Sequence, residues 1–201
     1  PIIYGTALYG LRRSEVLGLK WDSINFAMQT LTIRHTVARV TKVVEKNKTK
    51  NASSFRSFPL TDDAVRLFKI LLQQEQYYRN HYGKDYIDND YVFTWEDGHP
   101  YSPDYVSHTF HKVLKKYDLP HIRFHDLRHT FATHALTSGV DAKTLSGILG
   151  HTKASFTLDT YTHVTGDMQK QAANTVCDFM TELLGDEWKP WQENGRTAKE
   201  L

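Results

Sequence analysis

Residues 125–163 restrict the fold more than any other stretch of this sequence. Gly139 and Gly150 are typical of helix ends and Asp141 of a helix start, so short helices are predicted here. Such helices can bring distant side chains together, and the stretch is rich in polar ones. The pattern predicts a mainly helical region that binds an oxyanion, with Tyr161 as the nucleophile. The polar residues form three groups, HDLRH at 125–129, GH at 150–151 and YTH at 161–163.

Composition limits the class of protein further. A length of 201 residues fits one well-buried domain. The net charge of +2 is too small to indicate nucleic acid by itself. Cys177 is the single cysteine, so an internal disulfide is excluded and a reducing compartment is favoured. No apolar run approaches the ~20 residues of a membrane-spanning helix, so we expect no membrane partner.

Hydrophobic periodicity along the chain indicates an α+β fold. β-branched segments predict three strands, with a polar, basic turn before the third. The expected fold is mainly α-helical, with a small three-stranded antiparallel sheet near the N-terminal third. The predicted helices are 2–9, 13–20, 62–81, 103–117 and 167–184, and the predicted strands are 29–37, 39–44 and 55–60.

His125 and Arg128 form the first candidate site pair. Residues three apart on a helix share a face, so both side chains can reach one ligand. The arginine offers a planar fork for phosphate oxygens, and the histidine can exchange a proton. Taken singly, His125 also fits a helix cap and Arg128 a surface ion pair. Taken singly, His151 could equally be an ordinary loop residue, and Tyr161 could be a half-buried packing residue.

A metal site is not expected, despite 11 histidines. The sequence has no HExxH pattern and no paired cysteines, and carboxylates near the histidines are sparse.

Two further candidates lie in the N-terminal half. Arg12 follows a helix break, and Glu15 could orient it toward the same phosphate, although a surface pair of Arg13 with Glu15 is the alternative. Lys48 and Lys50 lie at the turn between two strands, where a lysine can enter a DNA groove or remain solvated. The segment 42–56 also has a local excess of positive charge, from Lys42, Lys46, Lys48, Lys50 and Arg56 against Glu45.

These blocks, in this order, resemble the catalytic domain of the tyrosine recombinases, above all the integrases of phages and conjugative transposons. The resemblance covers nearly the whole chain, and the spacings between blocks are typical of the family. It implies a catalytic domain at 1–184 and a polar tail at 185–201. The blocks are ALYGLRRSEVLGLKW, KTKNASSFRSFPL, FHDLRHTFATHAL, LGH and TLDTYTHV.

The resemblance also implies a role for each matching residue. Arg12, Arg128 and His151 would bind the non-bridging phosphate oxygens, with Glu15 supporting Arg12. Tyr161 would attack the phosphodiester and form a 3′-phosphotyrosyl bond. His125 is the candidate general base and Lys48 the candidate general acid, with Lys50 as the alternative lysine. Neither a metal nor a nucleotide cofactor is needed. The predicted DNA-binding residues are Lys46, Lys50 and Arg56.

The family resemblance further implies an assembly and a location. The expected partner is double-stranded DNA at specific attachment sites, bound by a homotetramer that exchanges the helix at about 167–184 between protomers. The sequence begins in a helical pattern without a start methionine, so we expect a longer polypeptide with an upstream domain. The expected location is the bacterial cytoplasm, at the nucleoid during the reaction. The alternatives are topoisomerase IB-like relaxation, a non-catalytic DNA-binding remnant and a metal-dependent nuclease.

Overall fold

The computed structural model describes residues 1–39, 43–46, 55–151, 155, 157 and 162–185. They belong to two units, the first ending at Asp159 and the second beginning at Thr160. Each unit is described by itself.

Within the described residues, the first unit contains six α-helices, and residues with specific capping chemistry set their ends. Gly10 and Gly150 have φ of 61° and 63°, the left-handed conformation that ends α1 and α6. The side chains of Ser102 and Asp141 accept hydrogen bonds from backbone N–H groups at the starts of α4 and α6. The helices are α1 (Ile2–Tyr9), α2 (Arg13–Leu17), α3 (Asp62–Tyr82), α4 (Pro103–Lys116), α5 (Asp126–Thr137) and α6 (Ala142–Leu149).

Helix α2 is shorter than the predicted helix at 13–20. It ends at Leu17 because the next residue, Gly18, lies directly against the backbone of His35. A Cβ atom on Gly18 would lie 2.6 Å from the carbonyl oxygen of His35. Leu19 then accepts a hydrogen bond from the backbone N–H of Val92, outside any helix. Tertiary packing has therefore overridden the helical period of the sequence.

The predicted small three-stranded antiparallel sheet is confirmed, but its strands differ from those expected. Its order is β1-β2-β5, and β3 and β4 form a separate two-stranded antiparallel ribbon. The segment predicted as one strand at 29–37 is two strands, because the chain leaves the first sheet at Arg34 and His35. The strands are β1 (Ile24–Asn25), β2 (Thr30–Ile33), β3 (Thr36–Arg39), β4 (Val43–Lys46) and β5 (Arg56–Pro59).

The hydrophobic core lies under the N-terminal residues of the candidate site. Leu11, Val16 and Leu17 are at most 2% exposed, and they flank Arg12 and Glu15 in the sequence. The paired strand residues Leu31 and Phe58 belong to the same core. Burial of one such side chain stabilises a fold by about 1.5–3 kcal/mol. The backbone carrying Arg12 and Glu15 is therefore firmly anchored.

The second unit contains α7 (Thr162–Leu184), which begins earlier than the predicted helix at about 167. Val176, Phe179 and Leu183 follow a three- and four-residue spacing on α7, and all are exposed. Among the described helices, none is both long and apolar enough to cross a membrane.

Candidate active site

The candidate site is built around the carboxylate of Glu15, in the first turn of α2. Glu15 is 1% exposed and accepts a hydrogen bond from the backbone N–H of Arg12 at 2.8 Å. Its Oε1 lies 2.7 Å from Nη1 of Arg12, and its two oxygens accept from Nη1 and Nη2 of Arg56 at 3.0 and 2.9 Å. Nη1 of Arg128 is 4.0 Å from Oε2. Three guanidinium groups therefore surround one carboxylate.

This surplus of cations gives the site its electrostatic character. Burial acts to raise the pKa of Glu15, but hydrogen bonds and charges from Arg56, then Arg12, outweigh it and lower the pKa. Glu15 is therefore ionised at neutral pH and cancels one of the three positive charges. An excess of two positive charges remains, which suits a phosphodiester anion.

The C-terminus of α6 is the second anchor. The last carbonyl groups of a helix lack intrahelical partners and carry the negative end of its dipole, so they attract cations. Here three consecutive carbonyls each accept from a different arginine: Ile148 from Arg56 at 2.6 Å, Leu149 from Arg128 at 2.6 Å and Gly150 from Arg12 at 3.3 Å. The turn at Gly150 thus fixes all three arginines relative to one another.

His151 follows this turn and contacts Arg128. Its Nε2 lies 3.1 Å from Nη2 of Arg128, and its Nδ1 lies 2.8 Å from Oγ1 of Thr157. Because a guanidinium only donates, Nε2 must accept, which places the ring proton on Nδ1 facing Thr157. Burial, then the charges of Arg128 and Arg12, lowers the pKa of His151 to about 4. The ring is neutral at pH 7, and donation from Nε2 to a phosphate would require a second ring proton.

His125 occupies the N-cap position of α5, but its side chain makes no capping hydrogen bond. Burial lowers the pKa of His125, and electrostatic interactions with His129, Arg128 and Arg12 lower it further. A neutral imidazole at pH 7 can accept a proton. His125 lines a groove of about 700 Å³ together with Arg12 and Arg123.

Two alternative interpretations from the sequence are excluded by this geometry. Arg128 is not in a surface ion pair, because its side chain is 3% exposed and donates to the carbonyl of Gly10 at 2.7 Å. Glu15 pairs with Arg12 and Arg56 rather than Arg13, and Arg13 donates to Ser107 instead.

The structure places Arg56, a predicted DNA-binding residue, inside the site, and its role in DNA binding stays a prediction. Its side chain is 8% exposed and enclosed by Glu15 and the end of α6, so it does not form part of an open basic turn. The alternation of side chains along a strand indicates this inward position. Residues 56, 58 and 60 lie on the same face, and Phe58 and Leu60 are buried. Thr157 was missed as well, and nothing in its sequence context distinguishes it from other threonines.

Four predicted site residues fall wholly or partly outside the described part of the chain. Lys48, Lys50 and Tyr161 lie outside the described residues, and Lys46 is described by its backbone in β4 alone. Their roles stay predictions. Arg12, Glu15, Arg128 and His151 are brought together, and His125 lines the adjoining groove. In the parts of the chain that the structure covers, no group of three or more His, Cys, Asp or Glu side chains could hold a metal ion.

Comparison with known proteins identifies a family. Residues 2–168 match the model of the phage integrase family. The chain is 32% identical over 192 residues to a tyrosine recombinase XerC-like protein of Caldanaerobacter subterraneus subsp. tengcongensis, covering 89% of this chain and 48% of that protein. It is 32% identical over 169 residues to the transposase from transposon Tn916 of Enterococcus faecalis, covering 79% and 40%. The chain thus spans half or less of the length of these two curated relatives.

Solved structures share the fold. The Tn1549 transposon integrase in complex with transposon right end DNA has a TM-score of 0.73 and 23% identity, covering 87% of this chain and 57% of that one. The XerA recombinase has a TM-score of 0.64 and 22% identity, covering 85% and 57%. At these identities, the likeness shows the fold alone.

Proposed function

Because the chain belongs to the phage integrase family, we propose that it is the catalytic part of a site-specific DNA recombinase. It would cleave and rejoin DNA through a 3′-phosphotyrosyl bond at Tyr161, and so integrate or excise a mobile element. The observation that supports this most is the excess of positive charge around Glu15 and the end of α6. A site of this kind suits a phosphodiester anion.

Arg12 and Arg128 would act on the scissile phosphate in different ways. Arg12 has a side chain that is 33% exposed and lines the groove, so among the three arginines around Glu15 it is the one that an incoming phosphate would meet. Arg128 is held by the carbonyls of Gly10 and Leu149 and supplies positive charge beneath the site. Donors held in advance of the reaction cost little reorganisation, and one such donor is commonly worth about 10²–10³ in rate.

The proposed reaction needs a base and an acid. A free tyrosine has a pKa of ~10 and is a weak nucleophile at pH 7. His125, neutral at this pH, would take the Tyr161 proton as the phenolic oxygen attacks phosphorus. The bond to the 5′-oxygen breaks, and Lys48, or Lys50 in its place, would protonate that oxygen. A 5′-hydroxyl of the partner strand then attacks the phosphotyrosine and releases Tyr161. The phosphodiester energy is kept throughout, so the scheme uses no metal and no nucleotide.

The proposed partner is double-stranded DNA at specific attachment sites. Two relatives are named as a tyrosine recombinase and a transposase, and a protein of the same fold was solved with transposon end DNA. The proposed catalytic domain is 1–184, and the proposed location is the bacterial cytoplasm, at the nucleoid during the reaction.

We also propose a homotetramer in which α7 passes between protomers. The exposed row of Val176, Phe179 and Leu183 supports this, since isolated apolar rows of this kind favour a partner surface. Replacing all three with serine should lower the molar mass of the DNA complex in analytical ultracentrifugation. An unchanged molar mass would count against helix exchange.

Covalent trapping tests the reaction itself. The full-length wild type and Tyr161→Phe are incubated in EDTA with a nicked duplex carrying the attachment site, which is first verified by sequence-selective binding. Denaturing gels should show a DNA-linked band for the wild type and none for the variant. Sequence-selective binding by wild type without any adduct would contradict the proposal and favour a DNA-binding remnant. Adduct formation with relaxation but no strand exchange would favour a topoisomerase.

A further inference from the structure

We propose that Arg56 is a positioning residue of this site, which ties Glu15 to the end of α6 and thereby holds Arg12 toward the groove. The inference rests on the proposed recombinase function, since Arg12 is the residue that meets the scissile phosphate there. Arg56 itself lies behind Glu15 and acts through it.

Each nitrogen of the Arg56 guanidinium has a defined partner. Nε donates to the carbonyl of Ile148 at 2.6 Å, and Nη1 and Nη2 donate to the two oxygens of Glu15 at 3.0 and 2.9 Å. One planar group therefore joins α2 to α6, two elements more than a hundred residues apart. A planar fork that binds both carboxylate oxygens fixes the plane of the carboxylate as well as its position.

The sheet holds Arg56 in place for this task. Arg56 pairs with Ile33 in the register of β2 and β5, and Ile33 is fully buried. Cζ of Arg56 lies 5.2 Å from the centre of the Phe58 ring, within the range of a cation–π contact. The buried Ile33 on the neighbouring strand and the ring of Phe58 limit the conformations open to this side chain.

The consequence for Arg12 follows from a shared atom. Oε1 of Glu15 accepts from Nη1 of Arg12 at 2.7 Å and from Nη1 of Arg56 at 3.0 Å. Without Arg56 the carboxylate keeps its charge but loses the group that fixes its plane. Arg12 then loses a fixed anchor, and the local excess of positive charge falls by one. A displacement of about 1 Å at a catalytic group can cost about 100-fold in rate.

Lysine cannot replace Arg56 in this geometry. Its single nitrogen cannot bind both Glu15 oxygens and the Ile148 carbonyl in the directions that three guanidinium nitrogens do. The variants Arg56→Lys and Arg56→Met therefore separate charge from geometry. Arg79 supplies a matched control, because it is also an ion-paired arginine, bonded to Glu75 at 2.8 Å away from the site.

The experiment measures single-turnover adduct formation by the full-length protein on the verified nicked duplex. Arg56→Met should slow the adduct rate about 100-fold and Arg56→Lys about 10-fold, whereas Arg79→Met should react like wild type. A purely structural defect lowers the amplitude of the reaction by reducing the folded fraction, but leaves the rate of the folded molecules unchanged. Loss of amplitude alone would therefore overturn the inference.

A double-mutant cycle with Glu15→Gln tests the route of the effect. If Arg56 acts through Glu15, adding Arg56→Lys, which keeps the charge, to Glu15→Gln should change the rate by no more than about twofold. Equal rate losses in both backgrounds would contradict positioning through Glu15. If wild type forms no adduct, both the proposed function and the inference fail. If wild type forms the adduct and the Arg56 variants form it at the wild-type rate, the inference alone fails.

Discussion

Arg12 and Arg79 look alike locally and differ in what surrounds them. Their side chains are 33% and 37% exposed, and each pairs with a nearby glutamate at 2.7 and 2.8 Å. Arg79 also pairs with Asp88 at 2.9 Å, so one arginine faces two carboxylates there. Arg12 shares its carboxylate with Arg56 and Arg128, so three arginines face one.

This reversal of charge separates a functional ion pair from a surface one. The Arg79 group carries a net negative charge, and the hydrogen bonds that Arg79 donates to Asp88, then to Glu75, raise the pKa of Arg79. It has no electrostatic reason to hold an anion. The Arg12 group has a positive excess, and helix carbonyls rather than further carboxylates hold its cations. The nitrogen–oxygen distance of an ion pair does not distinguish the two roles, whereas the balance of positive and negative charges around the pair does.

The largest expected effect comes from removing the shared carboxylate. Glu15→Gln leaves three arginines together without a counter-charge in a site where Glu15 is 1% exposed. Breaking a buried ion pair on one side commonly costs about 3–5 kcal/mol. Urea unfolding at pH 7 should show that the free energy of unfolding of Glu15→Gln is lower than that of wild type by an amount of this order. The matched change Glu75→Gln in the surface group should cost under about 1 kcal/mol; similar losses for both variants would remove the distinction.

The pH dependence of stability should report His151. Its pKa is lowered from 6.5 to about 4 in the folded chain, so the unfolded chain binds more protons between these values. The free energy of unfolding therefore includes a contribution from the neutral His151 ring. This contribution is fully present above pH 6.5 and is lost as pH falls through about 4. His151→Gln should flatten the unfolding free energy across this window, by less than the ~1.4 kcal/mol per pH unit of one proton. An unchanged slope would mean that the ring is not held neutral. His125, whose pKa is also lowered, accounts for part of the remaining slope.

A smaller effect is expected at Thr157, whose hydroxyl accepts from Nδ1 of His151. Thr157→Val keeps the shape of this fully buried side chain but leaves the ring proton unpaired, at a cost of roughly 1–3 kcal/mol. Nitrogen NMR of the imidazole should show a mixture of tautomers in place of one. Thr137→Val, which alters an exposed hydroxyl on α5, provides the control. A single unchanged tautomer in Thr157→Val would show that Arg128 alone orients the ring.

Local sequence signals predicted much of this structure. The helix limits at Gly10, Asp141 and Gly150 follow from capping chemistry within a few residues, and the helical class with its small sheet was predicted correctly. The meeting of Arg12, Glu15, Arg128 and His151 followed from the resemblance, since their spacing alone left other interpretations open.

The features that were missed depend on contacts distant in sequence. Helix α2 ends early because Gly18 meets the backbone of His35, and no local signal records that approach. The segment 29–37 reads as one strand because nothing in its alternation marks the change of sheet at Arg34. Arg56 was predicted to be a DNA-binding residue from its charge and its basic neighbours. Its position two residues before the buried Phe58 on the same strand indicates instead a side chain that points inward. Charge clustering in sequence therefore does not separate a solvated arginine from a buried one.

The most direct test compares Arg12→Met with Arg79→Met in the full-length protein. Both changes remove a partly exposed arginine from a glutamate pair, and the single-turnover rate of adduct formation at Tyr161 is measured at matched folded fraction. The charge reversal predicts a loss of about 10²–10³ for Arg12→Met and a wild-type rate for Arg79→Met. Equal rates for the two variants would contradict the claim that the cluster around Glu15 acts on the phosphate.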